Sequence, residues 1–140
     1  MTHPAKIPPR HPFGDAIKLR VDEQSAGRSV CSVEIVPDIH HNPHLITHGA
    51  VLYALADTGM GVALYPTLAK GETCATIEIK MSYFRAVPSG VVRCETTVLN
   101  RGRTIANLDS RLYVGDTLVA QANGNYAILK PRTETTVAAS

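Results

Sequence analysis

The sequence predicts an α+β fold in which a curved antiparallel sheet wraps around one long central helix. Two observations carry this. Residues 49–65 are apolar at almost every position, and their length, their richness in Ala and Leu and the stop at Pro66 favour helix over strand. The segments that follow alternate apolar with polar residues and are separated by short turns containing Gly or Pro. Val51, Leu52, Ala54, Leu55, Met60, Val62 and Leu64 spread around the whole circumference of the helix, so it must be surrounded rather than laid on a surface.

The elements follow in order. Pro4, Pro8, Pro9 and Pro12 deny backbone donors, so residues 1–15 read as a loose arm. Residues 16–21 and 28–36 are strand candidates joined by a polar turn at Gly27, and a polar stretch, 38–48, leads into the helix. After Lys70-Gly71-Glu72, residues 73–87 alternate, with Ile77, Ile79, Met81 and Tyr83 on one face and Thr76, Glu78, Lys80 and Ser82 on the other. Pro88-Ser89-Gly90 turns this strand into 91–99. Gly102 precedes a strand lined by Ala106, Leu108, Leu112 and Val114, and Gly115-Asp116 leads into 118–129. Three consecutive short connections predict a four-strand antiparallel meander. Residues 16–130 are thus one domain, and 131–140 read as a tail.

Composition excludes several functions. At 140 residues, 44% hydrophobic and 19% charged, the chain suits a single globular domain. The longest apolar run, residues 50–56, has seven residues, against roughly 20 for a membrane span. The first twenty residues carry no continuous apolar leader, so a cytoplasmic location is expected. A net charge of +2, dispersed along the chain, gives no nucleic-acid surface. Cys31, Cys74 and Cys94 lack metal-like spacing and read as small hydrophobes kept reduced. His40, His41, His44 and His48 lack the carboxylates, cysteines or HExxH pattern of a zinc site, so no metal is expected. A GxSxG nucleophile elbow and a Gly-rich phosphate loop are both missing.

The informative residues are Asn42-Pro43-His44-Leu45-Ile46-Thr47-His48-Gly49-Ala50, followed by Asp57 within Leu55-Ala56-Asp57-Thr58-Gly59. Here the chain resembles the hotdog-fold thioesterases of the phenylacetic-acid-degradation type, whose helix start looks like NPxGxxHGG with Asp or Glu eight residues after the first Gly of the pair. Asn42, His48, Gly49 and Asp57 fall at that spacing, while Leu45 and Ala50 stand where the family has glycines. The likeness in element order runs from residue 17 to 130, and its specific part is residues 42–61. It implies hydrolysis of an acyl-CoA thioester with coenzyme A as part of the substrate and no cofactor.

The residues support the same chemistry independently. An aspartate inside an apolar helix is costly, so Asp57 needs a reason: a place on an uncovered helix edge or a bond to Thr58 or nearby backbone, or else a role as general base on water or as nucleophile forming an anhydride. The amides of Gly49 and Ala50 begin the helix, where free N–H groups and the dipole favour the oxyanion of an attacked carbonyl. His48 either caps and orients the loop or serves as a general acid–base, and Asn42 either holds the loop or bonds substrate. Thr76 matches by position the family hydroxyl that places the attacking water, and otherwise is a strand threonine. Arg101 and Arg103 form the best local cluster for coenzyme A phosphates, against an ordinary solvated turn. Tyr53 and Met60 could line an acyl pocket or sit in the core.

Gly49 and Asp57 are eight residues apart, which along a helix is roughly 12 Å, too far for both to reach one carbon. The spacing therefore predicts two antiparallel helices meeting across a twofold axis, with Gly49 of one chain facing Asp57 of the other. At least a homodimer is expected, with a tetramer open to it through a long edge strand. The rival readings are a non-catalytic acyl-CoA-binding domain and a hotdog hydratase or dehydratase, although the bulky FPG-like turn of the latter is missing.

Overall fold

The computed structural model describes residues 11–131. Pro12 stands in the first turn of a short helix, α1 (Pro12–Ala16), as suits a residue with fixed φ and no N–H. Residues 12–15 of the expected arm are thus helical, and residues 1–10 and 132–140 lie outside the described residues. β1 (Arg20–Ser25) and β2 (Arg28–Glu34) form an antiparallel hairpin around Gly27, whose φ of +82° suits the turn. The first strand thus lies four residues beyond the expected start at residue 16, because its side chains are almost all exposed and carry little alternation. Pro37 opens a one-turn helix, α2 (Pro37–His40), at the start of the polar stretch that leads into the central helix.

The central helix, α3 (Gly49–Leu64), runs into a 3-10 turn at Tyr65–Thr67, where Pro66 ends the α-helical pattern. Leu52, Leu55, Met60, Ala63 and Leu64 are buried against β2 and the strands that follow: β3 (Thr73–Tyr83), β4 (Val91–Arg101), β5 (Ile105–Val114) and β6 (Thr117–Leu129). Met60 is fully buried and belongs to the core. The six strands form one antiparallel sheet in the order β1-β2-β4-β5-β6-β3 around the helix, which is the hotdog arrangement. None of the described helices is long and apolar enough to cross a membrane.

Two expectations are corrected. The four-strand meander holds only for β4, β5 and β6. β3 pairs with β6 rather than with β4, so residues 84–90 carry the chain from the edge strand past β6 and β5 to a place beside β2. The assignment of faces on β3 is also altered. A β-bulge between Thr76 and Glu78 sets Thr76 opposite the buried Tyr126 and leaves Ile77 53% exposed. Thr76 therefore turns toward the helix while Ile79 and Met81 still reach the core.

The helix approaches β2 and β4 closely at Gly59. Ser29 donates to the Gly59 carbonyl at 2.6 Å, and a Cβ on Gly59 would lie 2.7 Å from Thr96 Oγ1, itself bonded to Ser110 at 2.7 Å. Gly59→Ala is expected to lower stability, because overpacking of about 1–3 kcal/mol outweighs the roughly 1 kcal/mol gained in helix propensity. A lower urea midpoint with an unchanged m-value is the corresponding measurement. Cys31 and Cys94, opposite each other on β2 and β4, are buried, and burial pushes their thiols up to about 12 and about 11, so both are poor nucleophiles.

Candidate active site

The loop before α3 is held by its own backbone and by the side chains of His41, Asn42, Thr47 and His48. Asn42 Oδ1 accepts from the amides of His44 at 2.9 Å and Ile46 at 3.4 Å, closing an Asx-type turn. Asn42 thus holds the loop. Leu45, at the position of the family glycine, keeps the left-handed conformation a glycine would adopt, with φ +63°, and is 73% exposed. The histidines have separate tasks. His40 is buried, its Nδ1 accepting from Val36 N–H and its Nε2 donating to Ile17 O, and His41 Nε2 donates to Pro88 O.

His48 is the N-cap of α3: its Nδ1 accepts from Ala50 N–H at 2.9 Å. Ala50's amide is therefore occupied. The Gly49 N–H has no partner among the described residues and is the donor left at the helix tip. Tyr83 donates to the Gly49 carbonyl at 2.8 Å, and a Cβ on Gly49 would meet its ring at 3.2 Å, so a small residue here preserves that contact. The tip opens into a cleft of about 320 Å³ lined by Asn42, Gly49, Leu52, Tyr83, Phe84 and Arg85. Arg85 is a cation beside the site that turn-based reading of the sequence passes over.

Asp57 is half-buried two helical turns further on. Thr76 donates to its Oδ1 at 2.7 Å, and the bulge in β3 is what aims that hydroxyl inward. Tyr126 donates to the same oxygen and lies 2.7 Å from the Asp57 main-chain oxygen. Burial first, then the hydrogen bond to the carboxylate, pushes the Tyr126 phenol above its ordinary range. Sequence reading missed Tyr126 because an inward tyrosine on an alternating strand looks like core. Asp57 faces a different cleft, about 350 Å³, whose walls include Val21, Val62, Tyr65, Cys74 and Ala75.

The two chemical groups thus open into separate clefts of the chain. Between them runs an uncovered stripe of α3: Ala50 and Tyr53 are exposed, and Asp57 and Gly61 partly so. The helix is surrounded on its other sides only, so the complete envelope expected from its composition is not made by one chain.

Neither Arg101 nor Arg103 lines either cleft. The Arg101 guanidinium contacts Glu72 Oε1 at 3.2 Å and Thr67, while Arg103 is exposed and forms no ion pair among the described residues. Glu72 also receives Lys130 and the Ala69 amide, and these bonds, Lys130's foremost, bring its carboxyl from 4.5 down to about 2. A carboxylate whose pKa falls on folding contributes stability that is complete above its unfolded pKa and disappears as pH drops toward the folded one. The urea midpoint is expected to fall between pH 4.5 and 2. In Glu72→Gln that portion of the fall should be missing.

Residues 44–121 match the family model described as Thioesterase superfamily. A protein from Thermus thermophilus is 30% identical with a TM-score of 0.76, the match covering 84% of this chain and 97% of that one. A conserved protein from Pseudomonas aeruginosa is 28% identical at TM-score 0.81, covering 86% and 95%. A variant of the phenylacetic acid degradation protein PaaI from Thermus thermophilus is 28% identical at TM-score 0.78, covering 84% and 98%. No curated protein matches the chain significantly.

Proposed function

The chain belongs to the thioesterase superfamily, and from that premise we propose that it is an acyl-CoA thioesterase whose site is shared between two copies of the chain. One observation carries the reading: a carboxylate held on the central helix by the Thr76 and Tyr126 hydroxyls beside an apolar cleft. The unpartnered amide at the tip of that helix supports it. Asp57 takes a proton from water as the oxygen adds to the thioester carbon, or adds itself to give an anhydride that water then opens. In either course the carbonyl oxygen gains charge, which Gly49 N–H of the second copy stabilises, and the carbon–sulfur bond breaks to release coenzyme A.

The apolar cleft beside Asp57 suits a small or medium acyl or aryl group, since Val21, Val62, Tyr65 and Ala75 line it. The Gly49 cleft, with Arg85 and Tyr83, suits the pantetheine arm, while Ala50 and Tyr53 lie on the stripe the second copy would cover. Arg103, exposed at its turn, is available to a phosphate more readily than the engaged Arg101. A homodimer completes the site, and the β3 edge strand offers the contact for a tetramer.

The test is thiol release from a panel of aliphatic and aromatic acyl-CoAs by the wild type and Asp57→Ala. Release that disappears in the variant supports hydrolysis at this site. Binding without release in either protein would make the chain an acyl-CoA-binding module, and release retained by the variant would remove Asp57 from the mechanism.

A further inference from the structure

We infer that Tyr126 is a positioning residue for the thioesterase reaction, clamping one oxygen of Asp57 together with Thr76 so that only the other carboxylate oxygen is presented to substrate. This rests on the proposed function and adds a residue that neither the sequence motif nor the spacing along α3 indicates. Tyr126 is 2% exposed and lies directly across the sheet from Thr76, so two neighbouring strands deliver two hydroxyls to one point above the helix. Both reach Asp57 Oδ1.

The chemistry of the donors defines what the clamp does. A phenol has one proton, and a carboxylate oxygen is a stronger acceptor than the Asp57 carbonyl, which also accepts the helical N–H four residues on. The Tyr126 proton therefore belongs to the carboxylate. Burial keeps that phenol protonated above the ordinary tyrosine range, so it stays a donor wherever the enzyme works. With two hydroxyls on Oδ1, its acceptor sites are filled and Oδ2 is the basic or nucleophilic atom. The terminal torsion of an aspartate is intrinsically broad, so a carboxylate without such a clamp samples orientations that turn Oδ2 away.

The experiment compares Tyr126→Phe, Thr76→Val and the double variant of the full chain. The kcat and KM are measured with butyryl-CoA and phenylacetyl-CoA, and the Asp57 carboxylate orientation is read from crystal structures of each variant. Loss of one hydrogen bond to a charged group should lower kcat about tenfold in each single variant, with KM within twofold. The double variant should lose more than the product of the two, because one remaining donor still fixes Oδ1 and none does not. Crystals of the double variant should show the carboxylate turned or in two orientations.

An unchanged kcat in Tyr126→Phe with an unmoved carboxylate overturns the assignment, as does a rise in KM with kcat preserved. Thr76→Val addresses the same oxygen should the phenylalanine variant not fold. If the wild type hydrolyses neither ester, the thioesterase reading fails on its own account, and carboxylate orientation in the variants still decides whether Tyr126 and Thr76 form the clamp.

Discussion

Asp57→Asn is expected to lower kcat for thioester hydrolysis by about 10²–10⁴-fold, the range contributed by a general base in place. The substitution is nearly isosteric, and the asparagine carbonyl can still accept from Thr76 and Tyr126, so the helix should stay seated on the sheet. What disappears is the lone pair that takes a proton from water or attacks carbon. Circular dichroism and thermal unfolding of the variant should match the wild type within a few degrees while thiol release collapses. The reverse pattern, a large fall in unfolding temperature with most of the turnover kept, would make Asp57 a structural acid that ties α3 to β3 and β6.

That Asp57 could be singled out from sequence follows from cost: a carboxylate amid Leu55, Ala56, Gly59 and Met60 has no stabilising reason to be there unless the surroundings provide for it. The helix itself was equally legible, expected over 49–65 and found over Gly49–Leu64, because an unbroken apolar segment with a proline stop has few alternatives. What could not be read was lateral. Alternation along β3 identifies a strand but not its neighbour, and the short connection at Pro88-Ser89-Gly90 suits a hairpin as well as the crossing that occurs. One extra residue at Ile77 inverts the assignment of Thr76, since side chains alternate with period two and a bulge shifts the register without any sequence mark. Tyr126 was hidden for the same reason, because its partner became identifiable only once β6 was known to lie beside β3. The helix rise needs no tertiary information, so the separation of Gly49 from Asp57 is legible in the sequence, and in the structure the two residues line different clefts.

Gly49→Pro is the sharpest probe of the helix tip, and it should reduce kcat by about 10²–10³-fold, as expected for removal of one oxyanion donor. Proline is well tolerated at the first helical position, where the amide has no intrahelical partner, and His48 already holds the extended conformation that a residue before proline prefers, with φ -60° and ψ 134°. The three atoms nearest to a Cβ added there all belong to Tyr83, whose side chain is half exposed and can yield. The chain therefore loses one N–H, and the Tyr83 hydroxyl shifts by a few tenths of an ångström against the residue 49 carbonyl. Gly49→Pro and Asp57→Asn should then complement each other. In a heterodimer, the proline chain supplies an intact Asp57 and the asparagine chain supplies an intact Gly49, so one of the two shared sites is whole. Random pairing of equal amounts yields half heterodimers, and about a quarter of wild-type activity should return upon co-refolding two nearly inactive proteins. A mixture no more active than its components would place both groups on one chain, which the roughly 12 Å of helix between them forbids for a single reacting carbon, and would exclude Gly49 and Asp57 as partners in one site.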